Sequence, residues 1–164
     1  MRRVSILFAI ALVASLWVMA LVAAPGWADE GSSSSGRTRL QLAAAAVYAA
    51  GALVCHQRPE RSFHIDGTKL PVCARCFGLY AGGAIGVLLW AGLAARRRSS
   101  RGGWVSSARV RRWLAIAAAP TIATVVTAWL GWWDPPNLLR AVLAVPLGIA
   151  IAATVAAVAA GDLE

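Results

Sequence analysis

The sequence predicts an all-α integral membrane protein, a helical bundle of four to five hydrophobic helices with one polar Cys/His loop. Composition is the first observation behind this prediction. Of the 164 residues, 59% are hydrophobic and 14% are charged, whereas a soluble domain is about 45–50% apolar and about 25% charged. The second observation is that the apolar residues form long runs, which is typical of membrane helices rather than of a large soluble core.

The first predicted element is an N-terminal signal-anchor-like helix over residues 1–28. Two arginines precede an apolar run over residues 4–24, and at about 1.5 Å per residue such a run crosses a hydrocarbon core of roughly 30 Å. Gly26, Trp27 and Ala28 form a small-x-small pattern that resembles a signal-peptide cleavage site. The run is longer than that of a usual signal peptide, so we expect an uncleaved anchor.

A Gly/Ser-rich linker over residues 29–39 separates this helix from a membrane domain over residues 40–164. The domain opens with a short apolar segment, residues 40–54, which either crosses with local thinning of the bilayer or stays re-entrant. Three longer segments follow, the first from the second cysteine pair to residue 95 and the others over residues 113–133 and 138–160. We expect no charged side chain inside the long helices, which disfavours a proton relay.

Three glycines of the third helix, Gly78, Gly82 and Gly86, recur every four residues and therefore share one helix face. Small residues in this pattern let a second helix approach closely inside a membrane. We expect this face to pack against another helix. It also offers a contact surface for another membrane protein or for a second copy of the chain.

Arginines in short loops carry most of the net charge of +9. In that position positive charge indicates membrane topology and contact with the lipid bilayer, so nucleic acid is not expected as a partner. Seven arginines lie between residues 96 and 112. Keeping this cluster and the N-terminal arginines on the cytoplasmic side requires that residues 40–54 do not cross. We therefore predict a multi-pass protein of the inner (plasma) membrane whose polar loop is extracytoplasmic.

The polar loop over residues 55–76 holds all three cysteines and both histidines of the chain. Cys73 and Cys76 form a C-x-x-C pair, and 16 residues separate them from the neighbouring pair Cys55 and His56. Zinc prefers four nitrogen or sulfur ligands, supplied as two short pairs on either side of a longer segment. We expect these four residues to bind a structural zinc ion, with His64 as a substitute fourth ligand, provided that the chain turns beside Cys55.

The same sulfur atoms support a different chemistry. Cys73 lies near a helix N-terminus and close to Arg75, an environment that favours the thiolate. The alternative function is therefore that of a membrane thiol-disulfide oxidoreductase, with Cys73 and Cys76 as the redox pair and Cys55 as a relay thiol. Inert packing or a simple disulfide is a third interpretation, and we assign no catalytic residue.

Three arginines of the loop region, Arg58, Arg61 and Arg75, are explained most simply as a solvated cluster at the membrane interface. The alternative is that they hold a phosphate or a lipid headgroup beside Ser62, since arginine is well suited to bind such oxyanions. A small anion transporter is a further class that these arginines would fit.

The motif Cys-His-Gln-Arg-Pro-Glu-Arg-Ser over residues 55–62, followed by Pro-Val-Cys-Ala-Arg-Cys-Phe-Gly-Leu-Tyr-Ala-Gly over residues 71–82, resembles a known family. It is similar to the small bacterial predicted membrane proteins described as domain of unknown function 2085. The resemblance implies a multi-pass membrane protein of unassigned activity, and its motif has no histidine at the position of His64, which favours His56 as the ligand. The positions that it singles out are Cys55, His56, Pro59, Arg61, Ser62, Cys73, Arg75, Cys76 and Gly78.

Overall fold

A computed structural model of the protein describes residues 2–29, 35–96 and 106–161, and it confirms the all-α class. Five helices account for most of the described chain: α1 (Arg2–Asp29), α2 (Ser35–Ala52), α3 (Ala74–Arg96), α4 (Ser107–Trp129) and α5 (Asn137–Ala160). The predicted linker and the arginine cluster both fall partly outside the described residues, so their conformation stays a prediction.

Four of these helices, α1, α3, α4 and α5, are long and apolar enough to cross a membrane by length and composition. The short predicted segment of residues 40–54 falls mainly in α2, which does not meet that criterion. This difference agrees with the interpretation in which the second segment does not fully cross.

The largest interface of the bundle joins α3 to α5. The glycine face of α3 lies directly on the backbone of α5, because Gly82 adjoins Val145 and the glycines one turn before and after adjoin Ala141 and Ile149. The partners advance in the same order, so the two helices run parallel. The face is therefore filled by a helix of the same chain.

Contacts made by α1 define the two ends of the bundle. Leu7, near the start of α1, packs against Ala156 and Ala160 at the end of α5. Leu21, two thirds of the way along α1, packs instead against Cys55 and Val72. We call the end that carries residues 55–73 the cysteine end.

Helix α4 is bound to the cysteine end by threonines of its second half. Thr121 donates a hydrogen bond to the Leu143 carbonyl on α5 at 2.9 Å, and Thr124 accepts one from Arg75 at 3.3 Å. The start of α4, by contrast, lines a cavity beside Trp90 from the far half of α3. The start of α4 therefore lies at the end of the bundle opposite to the cysteines.

One expectation is wrong in detail: a charged side chain does lie inside a long helix. Arg140 occupies the first turn of α5 with 5% of its surface exposed. Its guanidinium forms an ion pair with Asp134, and its Nε donates to the Pro135 carbonyl at 2.7 Å. These partners come from the turn before α5, which explains why the fold accepts a charge at this depth.

Within the predicted polar loop of residues 55–76, residues 59–69 form local secondary structure. A short 3₁₀ helix, Pro59–Arg61, precedes an antiparallel hairpin of β1 (His64–Ile65) and β2 (Thr68–Lys69). Asp66 and Gly67 both have positive φ, at 49° and 82°, as the two central residues of a type I′ turn require. An Asp-Gly pair is a strong hairpin signal, so this element could have been predicted.

Candidate metal centre

Two of the three cysteines lie at the start of α3. The Phe77 amide donates to the Cys73 carbonyl at 2.9 Å, which places Cys73 at the N-cap position and Cys76 on the first helical turn. The two sulfur atoms are 3.4 Å apart. The C-x-x-C spacing at a helix start thus brings the pair together through local geometry alone.

Cys55 reaches this pair from the end of α2 because the two segments approach backbone to backbone. Gly51 makes the approach possible, since a Cβ there would lie 2.5 Å from the Pro71 carbonyl oxygen. The backbone amide of Cys73 then donates to the Cys55 sulfur at 3.1 Å. Cys55 is 7% exposed and packs in an apolar cluster with Leu21 and Val72.

The hairpin fixes the end of α2 in this place. The Tyr48 hydroxyl donates to the Lys69 carbonyl, and the Lys69 ammonium donates to the Gln57 carbonyl at 2.9 Å. The Gln57 side chain closes the ring by donating to the Tyr48 carbonyl at 2.7 Å. Three long-range hydrogen bonds therefore hold the chain immediately after Cys55 against α2.

The outcome is a three-sulfur site. The Sγ atoms of Cys55, Cys73 and Cys76 all lie within 4.8 Å of one another, and all three are free thiols. Thiolates are the ligands that soft metal ions such as zinc and copper(I) prefer. The three cysteines could therefore hold a metal ion.

Hydrogen bonding at the helix start also changes the acidity of Cys73. The largest effect on the Cys73 sulfur comes from its hydrogen bond with the Cys76 thiol. Further hydrogen bonds come from the Cys76 and Arg75 backbone amides and from the Cys55 thiol. Together they lower the pKa of Cys73 to about 5 despite partial burial. The lowered pKa favours the thiolate form of Cys73. Both metal binding and nucleophilic thiol chemistry require this form.

Neither histidine belongs to the three-sulfur site as it stands. His56 is exposed, but it lines the same pocket as the three cysteines. The chain does turn beside it, because Gln57 has a positive φ of 48°. His64 lies on β1, exposed and paired with Lys69, and it contributes nothing to this pocket.

The pocket beside the sulfur atoms has a volume of about 540 Å³ and is open to the surface. Arg58, Arg61 and Arg75 all contribute to its wall, so the structure brings these three predicted residues together. Ser62 does not join them. It is 1% exposed, and its hydroxyl donates to the Arg58 carbonyl at 2.9 Å.

Two residues that matter for this site were missed from the sequence. Arg140 lies within electrostatic range of Arg75, and the signal that could have identified it is a lone arginine in an apolar run. Gly51 allows the approach of Cys55, but nothing in its local sequence distinguishes it from a glycine in an ordinary helix end.

Comparison with known proteins identifies relatives over this region. The family model described as "Predicted membrane protein (DUF2085)" matches residues 55–154. An uncharacterized protein of Methanocaldococcus jannaschii is 39% identical over 75 residues, which cover 46% of this chain and 46% of the relative. An uncharacterized protein of Methanothermobacter thermautotrophicus is 33% identical over 99 residues, covering 60% of this chain and 81% of the relative. Both relatives are archaeal, so the description of the family as bacterial was too narrow. No solved structure matches the chain.

Proposed function

Because the chain belongs to the DUF2085 family of predicted membrane proteins, with a matched region that begins at Cys55, we propose that it binds a soft metal ion at the membrane edge. The ligands are the thiolates of Cys55, Cys73 and Cys76, and zinc is the proposed ion. The observation that carries the proposal is the convergence of three free thiols from two separate segments of the chain.

The spacing of the sulfur atoms supports this proposal. A zinc–sulfur bond of about 2.3 Å with tetrahedral angles separates neighbouring sulfur atoms by about 3.8 Å. Cys73 and Cys76 are 3.4 Å apart, and no pair in the three-sulfur site exceeds 4.8 Å. Shifts of less than about 1 Å would therefore be enough to form three zinc bonds.

We propose His56 as the fourth ligand. His56 follows Cys55 directly, and the backbone turns at the next residue, Gln57. Cys55 and His56 both line the pocket on which the sulfur atoms lie. A side-chain rotation would be needed to bring the imidazole to the metal. With four protein ligands the site would be closed and structural, which fits a scaffold, binding or transport-accessory protein rather than a hydrolase.

We also propose that the cysteine end is extracytoplasmic in the plasma membrane. The start of α1 and the start of α4 lie at the opposite end of the bundle. Arginines mark that end among the described residues, since Arg2 and Arg3 begin α1, Arg96 ends α3, and Arg109, Arg111 and Arg112 lie in the first turns of α4. Arginine-rich short loops are retained in the cytoplasm.

Metal content of the purified protein tests the proposal. We expect about one zinc ion per chain in the wild type, and loss of the ion in each variant Cys55→Ser, Cys73→Ser and Cys76→Ser. The control is His64→Ala, which changes an exposed hairpin residue outside the pocket. His56→Ala should bind zinc more weakly, by at least the roughly 10- to 100-fold that is lost when a residue that only orients a ligand is removed.

A metal-free wild type, purified under reducing conditions and unable to take up zinc, copper(I) or cobalt(II), would overturn the metal proposal. Cobalt(II) is useful here because thiolate coordination gives an intense charge-transfer absorption. This absorption should appear in the wild type and be absent from Cys73→Ser.

The second candidate is the thiol-disulfide oxidoreductase, which the short distance between Cys73 and Cys76 and the thiolate at Cys73 favour. Oxidation of the Cys73 thiolate and the Cys76 thiol to a disulfide releases two electrons and one proton. A quinone or the disulfide of a partner protein would accept the electrons and this proton and would take its second proton from solvent. Cys55 could exchange with the new disulfide. A metal-free protein whose Cys73–Cys76 disulfide is reduced by dithiol and reoxidised by quinone would support this function over metal binding.

A further inference from the structure

The pocket beside the three-sulfur site has more positive charge than the protein neutralises. Three arginines line it, and none of the described residues that line it is an aspartate or a glutamate. Ion pairs in the described part of the chain link Arg58 to Glu60 at 3.9 Å and Arg140 to Asp134. Neither Arg61 nor Arg75 forms an ion pair with a carboxylate of the described residues.

Buried guanidinium nitrogens add a second, independent observation. The Nε atoms of Arg61 and Arg75, and Nη1 of Arg140, are shielded from solvent and have no hydrogen-bond partner in the described protein. Arg140 itself is 95% buried, since only 5% of its surface is exposed. Burial of a charged donor without an acceptor is unfavourable. Arg140 does not line the pocket, but Arg61 and Arg75 do, so their Nε atoms point to a ligand with acceptor oxygens.

The fold holds Arg61 and Arg75 in place without using opposite charges. The Asn137 side chain, at the start of α5, donates to the Ser62 carbonyl at 3.1 Å and to the Glu60 carbonyl at 3.4 Å. This fixes the short 3₁₀ helix that carries Arg61. Arg75 is fixed by its own donation to the Thr124 hydroxyl on α4. The cationic groups are therefore preorganised, as in sites that bind anions.

We propose that the pocket lined by Arg58, Arg61 and Arg75 binds a phosphate group, either as the headgroup of an anionic lipid or as free phosphate. Planar guanidinium groups match the geometry of phosphate oxygens. The opposite wall is apolar and comes from the end of α4, where Trp129 is 87% exposed. An exposed tryptophan at the end of a membrane helix is typical of the lipid headgroup region.

Two binding measurements on the purified full-length protein test this proposal and identify the source of the phosphate. The first compares retention of phosphatidylglycerol and phosphatidylcholine by native mass spectrometry. The second titrates inorganic phosphate calorimetrically in neutral detergent. Phosphatidylglycerol retained in preference to phosphatidylcholine, and displaced only weakly by phosphate, identifies a lipid headgroup site. Saturable phosphate binding without lipid preference identifies a free phosphate site.

Arg61→Gln and Arg75→Gln should each weaken the observed binding by about tenfold or more, because each removes a charge-assisted hydrogen bond. The control is Arg112→Gln, an exposed arginine near the start of α4 at the opposite end of the bundle. Arg61→Lys, which keeps the charge but loses the planar fork, should lie between the wild type and Arg61→Gln.

Equal binding by the wild type and the Arg61 and Arg75 variants would overturn the proposal. The proposal would also be overturned if the wild type showed neither phosphate binding nor a preference for phosphatidylglycerol. This second test does not depend on whether the variants fold. Metal content is measured in the same samples. Loss of zinc and loss of phosphate binding are then scored separately, so failure of one proposal leaves the other intact.

Discussion

The close contact between α3 and α5 predicts opposite effects for two adjacent glycines. Gly82 and Gly83 lie in the same turn of α3, so an alanine at either position changes helix propensity equally, in favour of the helix by up to about 1 kcal/mol. Only their tertiary surroundings differ. A Cβ on Gly83 would meet Ala152 at 3.9 Å, an ordinary contact.

A Cβ on Gly82 would instead collide with the Val145 carbonyl oxygen and would lie 3.0 Å from both the Cα and the carbonyl carbon of that residue. These atoms belong to the backbone of α5 and cannot rotate away. Restoring a separation of about 3.5–4.0 Å requires the helices to move apart by roughly 0.5–1 Å. Overpacking of this kind costs about 1–3 kcal/mol.

We therefore expect Gly82→Ala to lower the free energy of unfolding by about 1–3 kcal/mol, while Gly83→Ala leaves it unchanged or raises it slightly. Reversible unfolding in mixed micelles, followed by circular dichroism, measures both variants against the wild type. Equal shifts for the two alanines would refute the α3–α5 packing described above. A loss confined to Gly83→Ala would refute it more strongly, since Gly83 rather than Gly82 would then make the closest approach to α5.

Two further predictions concern the side of the membrane on which the cysteine end lies and the hydrogen bond that joins α2 to the hairpin. The cysteine end is proposed to be extracytoplasmic. In intact cells treated with a chelator, a membrane-impermeant maleimide should therefore label Cys73 of the wild type, and the Cys73→Ser variant should lack the label at position 73. Labelling that appears only after permeabilisation would contradict the topology. Tyr48→Phe removes the hydroxyl that donates to the Lys69 carbonyl, and it should lower the free energy of unfolding by about 1 kcal/mol. Tyr80→Phe is its control because no hydrogen bond of the Tyr80 hydroxyl is found within the described residues. Equal effects of the two changes would show that the hydrogen bond between Tyr48 and Lys69 contributes little to stability.

The sequence by itself determined the features that depend on neighbouring residues. Long apolar runs become helices in a membrane because the backbone has no other way to satisfy its hydrogen bonds there. For the same local reason, the C-x-x-C spacing at the start of α3 was enough to predict that Cys73 and Cys76 lie together. The Asp66-Gly67 turn is equally local, because an Asp-Gly pair by itself favours a two-residue hairpin turn.

Tertiary structure decided how distant segments meet. Sequence suggested that Cys55 joins the other two cysteines, but the close approach of Gly51 to Pro71 is what brings it there, and no local pattern specifies such an approach. The glycine face of α3 indicated that a helix would pack against it without indicating which helix. Arg140 approaches Arg75 only because α3 and α5 run parallel in contact, and the two residues are 65 positions apart in the sequence. Packing between distant helices sets these contacts, and that packing depends on the shapes of whole surfaces rather than on the spacing of a motif.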